Sequence, residues 1–273
     1  MLDDKTIIIT GGSSGLGKAL AERLIKRGAN LALVARDMKK LKSVQADIMK
    51  MSQKNSRVEV YPCDVSDPEA VDKTVKAIAE SFGPPDTLIN CAGILRESHF
   101  EKESIEAFRE VMNINFFGTL HFIKAVLPFF KQKGQGRIVN ICSMAGLTGV
   151  FGYSAYSASK FAIAGLSSAI RGELKPQNII VQVVYPPEFD SPMVDEINTY
   201  RSYENEMVAH LIPTLKLDVV ADAVIEGMEK GRPEIIPGRL ARLLAMGNRW
   251  FPTLSRLVVD SRIKKFYGVT RKG

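Results

Sequence analysis

TIIITGGSSGLGKAL, residues 6–20, passes from an apolar β-branched run through a glycine-rich turn into a helical pattern. TIIIT (6–10) reads as a buried strand, because β-branched residues suit a pleated surface and no polar residue interrupts the isoleucines. An alternating helical face follows from about Leu16 to Arg27. A strand, a glycine turn and a helix in this order open a βαβ unit. In that setting Gly11 allows the tight turn, Gly15 leaves room for a pyrophosphate and Gly17 lets the helix pack closely. The helix start, with Leu16, offers backbone N–H groups to phosphate, and Ser13 and Ser14 add hydroxyls. Glycines also serve ordinary turns, so the position directly after a strand carries the reading.

The same alternation continues outward. NLALVA (30–35), RVEVYP (57–62), DTLIN (86–90), GRIVNIC (136–142) and IIVQVVYP (179–186) read as strands, with helices near 68–82, 104–132 and 156–175. Apolar strands each followed by a helix predict an α/β fold: a single Rossmann-type, doubly wound parallel sheet with helices on both faces. Residues 188–215 break the rhythm with a polar, helical stretch and read as a lid after the sixth strand. The expected organisation is a dinucleotide-binding catalytic domain over 1–238, lid 188–215 included, and an amphipathic C-terminal extension over 239–273.

The chain has 273 residues, 45% hydrophobic and 25% charged, an ordinary globular composition. Its formal charge of +7 is unevenly placed. Residues 230–273 hold eleven Lys or Arg against two acids, Glu234 and Asp260, so the rest of the chain is slightly acidic. Three scattered cysteines, Cys63, Cys91 and Cys142, suggest reduced thiols and a cytoplasmic setting. The N-terminus MLDDKTIIIT does not read as a signal peptide, and no run of about 18 apolar residues suggests a spanning helix. His99, His121 and His210 are dispersed, no metal-ligand spacing is expected, and no nucleic-acid motif is seen.

Two further stretches bear on chemistry. VARD (34–37) puts Arg36 where an acid usually meets the ribose 2′-hydroxyl, and a guanidinium suits a 2′-phosphate, so NADP(H) is the expected cofactor. The alternative leaves Arg36 in solvent and Asp37 on the ribose. AYSASK (155–160) puts Tyr156 and Lys160 one helical turn apart. They are either a snorkelling lysine on an amphipathic helix or a phenol whose pKa a neighbouring ammonium lowers.

Taken with the glycine loop, these motifs resemble the short-chain dehydrogenase/reductase family over about residues 5–240. Asp64 with Val65 in CDVSD matches the family's adenine-contacting acid, and Asn90, Ala92 and Gly93 in NCAG match its NNAG, with Cys91 a departure. Asn115 in NINFFG, Ser143 in NICSMAG, and Tyr156 with Lys160 match the catalytic set. In YPPEFDSP (185–192), Pro186 is retained, Pro187 replaces the family's glycine and Ser191 its threonine. With the flanking motifs, this stretch resembles the 3-ketodihydrosphingosine (3-ketosphinganine) reductases, although a stiff loop alone would also explain paired prolines. The resemblance implies reduction of a lipid-like ketone with NADPH. Tyr156 is then the proton donor, Ser143 orients the carbonyl, Lys160 lowers the phenol together with the oxidised nicotinamide's positive charge and holds the nicotinamide ribose, and Asn115 holds the helix and a water.

Rivals remain at this stage: a reductase or dehydrogenase of a 3-oxoacyl, steroid or retinoid carbonyl, a non-catalytic NADP(H)-binding sensor, or a membrane adaptor. In RLARLLAMGNRWFPTLSRLV (239–258), Leu240, Leu243, Leu244, Trp250, Phe251, Leu254 and Val258 fall near one face. Arg242, Arg249 and Arg256 fall near the other, and Pro252 is expected to split the segment into two short helices. Such a stripe fits a peripheral contact with an anionic membrane surface, packing on the body, or a contact in a homo-oligomer, dimer or tetramer.

Overall fold

The computed structural model describes residues 2–52 and 56–270. Seven strands form one sheet: β1 (Thr6–Thr10), β2 (Asn30–Ala35), β3 (Val58–Pro62), β4 (Thr87–Asn90), β5 (Gly136–Ile141), β6 (Ile179–Val184) and β7 (Glu234–Ile235). Their order is β3-β2-β1-β4-β5-β6-β7, and every pair is parallel. β7 is the strand that sequence patterning does not reach, being two residues in a proline-bounded stretch.

The pleat divides the core. Ile7 and Ile9 enter one cluster, where α1 (Gly15–Ile25), α2 (Met38–Met49) and α9 (Leu217–Glu229) cover the sheet with Leu20, Leu41 and Val224. Ile8 points the other way, toward α3 (Pro68–Phe82), α5 (Gly118–Lys133) and α6 (Ser154–Leu174), which contribute Val75, Phe122, Phe130 and Leu174. The expected helix over 104–132 contains α4 (Ile105–Met112) and α5, joined by a π turn, Asn113–Phe117. Asp67 caps α3 by accepting from Glu69 N and Ala70 N, with Pro68 at its first position.

The strand order reverses between β1 and β4, which opens a crevice at the carboxyl ends of the strands. At the opposite end Asp86 ties the sheet together, accepting from Thr6 N at 3.0 Å and pairing with Lys5 Nζ at 3.2 Å and Lys133 Nζ at 2.6 Å. Above the crevice lie α7 (Pro192–Asn198) and α8 (Tyr203–Ala209), the expected lid, with Ser191 and Ser202 as their caps.

The C-terminal extension follows as α10 (Arg239–Trp250) and α11 (Pro252–Thr270), and its residues 271–273 lie outside the described ones. Pro252 does divide it, but α11 is a long helix of 19 residues. The expected apolar stripe is not the side that meets the body. Ala241 (1% exposed) and Ala245 (9%) are buried against Cys142, Met144, Ile163 and Tyr185, whereas Leu243 (64%) and Trp250 (73%) face outward. Small residues let a helix axis approach closely, so the alanines form the seam. The arginine face is partly engaged as well: Arg249 pairs with Glu234 at 3.0 Å.

Candidate active site

A cavity of about 520 Å³ opens at the carboxyl ends of β1, β4, β5 and β6. Its floor begins with the glycine loop. Gly11 has φ +69°, and a Cβ there would sit 2.9 Å from Ala92 N; one on Gly17 would collide with the Gly11 carbonyl. These contacts fold the loop tightly over the end of β4. A Cβ on Gly15 would meet nothing closer than Pro192 Cδ at 3.9 Å. Ser14 caps α1 without spending its side chain on the first-turn amides, and that turn has no acid. Free amides, positive helix dipole and room above Gly15 fit a pyrophosphate.

Gly11, Ser14, Gly15, Leu16, Gly17, Ala92, Gly93, Ser143, Tyr156, Lys160, Pro186 and Ser191 all line this cavity. The other expected residues do not. Ser13 stands beside the loop, partly buried. Arg36 is exposed at the end of β2, close enough to Asp64 to act on its charge. Burial would raise the Asp64 carboxyl, but hydrogen bonds from Ser66 and the Arg36 charge outweigh it and hold the carboxyl below its ordinary range. Asp37 is occupied as the cap of α2, accepting from Lys40 N at 3.0 Å, which weakens its claim on a ribose. Val65 packs where a Cβ on Gly118 would go, fixing the start of α5.

Asn90 and Asn115 are buried supports. Asn90 donates to Asn140 Oδ1 at 2.9 Å across the β4–β5 pair. Asn115, in the π turn, clamps Ile94 from both sides: its Oδ1 accepts from Ile94 N at 2.8 Å and its Nδ2 donates to Ile94 O at 2.9 Å. The same Nδ2 reaches Ser159 Oγ at 3.0 Å, and Ser159 donates to Tyr156 O at 2.7 Å. Asn115 thus links the loop after β4 to the helix that carries Tyr156 and Lys160. A π turn places a side chain out of the α-helical register, a common device at functional sites.

Tyr156 and Lys160 share one face of α6, as their spacing requires, with Lys160 Nζ 5.5 Å from the Tyr156 ring centroid. In the chain alone, burial sets the direction for both groups. Burial raises the Tyr156 phenol well above the ordinary tyrosine value, and its hydrogen bond with Ser143 offsets this only in part. Burial also lowers the Lys160 ammonium, whose Nζ donates to Ile141 O at 3.0 Å. An ammonium that is itself desolvated has less to give the phenol, so burial decides the sign. Cys91, on the cavity wall, is pushed up to about 12 by burial and is no thiolate near neutral pH.

Several contributors escaped sequence reading. Thr10 Oγ1 accepts from Cys91 N at 3.0 Å and Ala92 N at 3.1 Å, which aligns the NCAG turn. Asn140, Ser159 and Tyr153 were missed too; a polar residue at the end of an otherwise apolar strand could have marked Asn140. The lid is joined over the cavity by the C-terminal extension, which sequence reading does not place there. Val208 and Ile212 from the lid, and Leu244, Phe251, Leu254 and Val258 from the extension, line the same cavity.

Comparisons agree with this geometry. The family model described as short chain dehydrogenase matches residues 5–202. The chain is 38% identical to the 3-ketodihydrosphingosine reductase of Mus musculus, over 82% of this chain and 68% of that one. It is 34% identical to the protein of that name from Dictyostelium discoideum, over 90% of this chain and 79% of the other. Among solved structures it resembles a short-chain dehydrogenase from Sphingobium yanoikuyae in complex with NADPH, with a TM-score of 0.76 and 30% identity over 92% of this chain and 95% of that one.

Proposed function

The chain belongs to the short-chain dehydrogenase family, and from that premise we propose that it reduces the ketone of 3-ketosphinganine to an alcohol with NADPH. The observation that carries the proposal is the junction of two surfaces in one cavity: Ser143, Tyr156 and Lys160 below, an apolar lid and extension above. Relatives that bear the name 3-ketodihydrosphingosine reductase support this substrate, and the NADPH-bound relative supports the cofactor.

Gly11, Ser14, Gly15, Leu16 and Gly17 hold the pyrophosphate, Arg36 the 2′-phosphate and Asp64 the adenine, with Ser13, Val65, Asn90, Ala92, Gly93, Pro186 and Ser191 shaping the groove. A bound nicotinamide supplies hydride to the carbonyl carbon. Ser143 donates a hydrogen bond to the carbonyl oxygen and sets it against Tyr156. Tyr156 gives its proton to that oxygen as negative charge develops, and a phenol raised by burial is fully protonated for the task at neutral pH. Lys160 holds the nicotinamide ribose and steadies the phenolate left behind, while Asn115 fixes α6 through Ser159.

Incubation with NADPH and a long-chain 2-amino-3-ketone tests the assignment, the alcohol being identified by mass spectrometry. Stoichiometric NADPH oxidation and alcohol are expected. No turnover by protein that still binds NADPH would overturn it and favour a cofactor-binding sensor.

We propose further that the protein is cytoplasmic and meets an anionic membrane surface through α10 and α11. Leu240, Leu243, Trp250 and Leu257 are exposed there beside Arg256, Arg262 and Lys264. No helix among the described residues is long and apolar enough to cross a membrane. Trp250 is the only tryptophan, so its emission reports this face alone. A blue shift with phosphatidylglycerol vesicles is expected; unchanged emission would reject the contact. Exposed Ile105, Phe117 and Phe161 on the α4–α6 side support a homo-oligomer, checked by analytical ultracentrifugation.

A further inference from the structure

Among the described residues lining the cavity, only Lys160 and Glu188 carry charged side chains. Lys160 belongs to the catalytic floor. Glu188 has no part in the chemistry so far described. It follows the proline pair after β6, where the chain turns from the sheet into the lid. A lone carboxylate in an apolar chamber is costly to bury unless it is paired or has a ligand to meet.

Glu188 is held with care. Arg201 Nη2 donates to its Oε2 at 2.7 Å, and the two side chains are 11% and 5% exposed. The other donors of Arg201, Nε and Nη1, are buried without partners, so the guanidinium spends its hydrogen bonding on Glu188. The backbone is pinned as well, because Leu215 N donates to Glu188 O at 3.0 Å. The second oxygen is treated differently. Oε1 has Thr214 Oγ1 and His210 Nε2 at 3.4 Å each, both long for a charge-assisted bond. One oxygen is therefore fixed, and the other retains acceptor capacity.

Glu188 shares its cavity with the reacting groups. Burial pushes the Tyr153 phenol up to about 12, with the Arg201 charge lowering it and the Glu188 charge raising it. The Tyr153 ring packs edge-on against Tyr156 at 5.8 Å between centroids. Tyr153, Tyr156 and Glu188 line the same cavity.

We propose that Glu188 is a specificity-determining residue whose Oε1 accepts a hydrogen bond from a primary ammonium on the carbon next to the ketone. This rests on the substrate class named above and assigns its polar end: Glu188 reads the ammonium, and the apolar roof takes the alkyl chain. Arg201 is the positioning residue that keeps the carboxylate pointed.

The test uses two ketones of equal chain length, one carrying the 2-amino group and one lacking it, with NADPH as reductant. The readout is the ratio of their kcat/KM values, in which any misfolded fraction cancels. The wild-type protein is expected to favour the amino-ketone by about tenfold or more, the worth of one charge-assisted hydrogen bond. Glu188→Gln should bring the ratio to within about threefold of unity, mainly through KM, and Glu188→Asp should restore part of it. Acetylating the substrate amine, measured on wild type alone, should cost the same factor, which keeps the proposal testable if both variants misfold. A wild-type preference that persists in Glu188→Gln, or that survives acetylation, would overturn the Glu188 assignment while leaving the substrate standing. Reduction of the amine-free ketone alone by wild type would overturn both.

Discussion

The floor and the roof of the cavity are built by opposite means. The floor is made of fixed backbone: a glycine loop with no room for a Cβ at Gly11 or Gly17, a carbonyl holding Lys160, and an asparagine clamp at Asn115. The roof is made of apolar side chains on α8, α10 and α11, several of which are also exposed. The difference teaches a division of labour. Chemistry requires sub-ångström placement, which backbone geometry and buried hydrogen bonds provide. Recognition of an alkyl chain requires apolar area and tolerance, which a layer of Leu, Val and Phe provides.

Substitutions in the two layers should therefore fail differently. Tyr156→Phe is expected to have the largest effect, lowering kcat by about 10³-fold with every substrate while NADPH Kd stays within about threefold. Stopped-flow turnover and fluorescence titration would measure both; equal losses in kcat and binding would blur the division. Gly17→Ala forces a methyl against the Gly11 carbonyl. It should raise NADPH Kd by about 10²-fold in protein whose circular dichroism is unchanged, and tight binding would mean the loop is softer than described.

In the roof, Phe251→Ser together with Leu254→Ser should lower kcat/KM for a long-chain ketone about tenfold more than for a short one, measured side by side. A uniform loss would assign the extension to stability instead. The smallest effect is expected at the rim, where Arg36 is exposed. Arg36→Asp should move the NADPH-to-NADH ratio of kcat/KM by about fivefold toward NADH, because a screened surface charge is worth little more. An unmoved ratio would place the 2′-phosphate elsewhere.

The same division decides what the sequence discloses. Floor residues are constrained by geometry that only certain residue types satisfy, so TGGSSGLG, NCAG and AYSASK announce their positions, and Ser143 and Asn115 follow in order. What stays hidden there is electrostatic. The i, i+4 spacing of Tyr156 and Lys160 is legible, but the direction in which burial moves both groups depends on a desolvation that only the packed fold supplies. The roof is less legible for another reason. Along α10 the periodicity groups the leucines on one face, yet Ala241 and Ala245 make the seam with the body because close approach needs small residues. Leu244 and Phe251 then face the cavity, while Leu243 and Trp250 face out. An apolar residue can serve a core, a ligand or an outer surface, and periodicity does not separate the three. Glu188 is hidden likewise, since its place in the cavity wall and its pairing with Arg201 exist only in space.

The most direct measurement is kcat/KM of the wild-type protein for 3-ketones of increasing chain length at saturating NADPH. A chamber whose floor reacts and whose roof binds alkyl chain predicts a steady rise in kcat/KM with length at nearly constant kcat, by about fourfold per fully buried methylene. A flat series, with short and long ketones reduced alike, would contradict it.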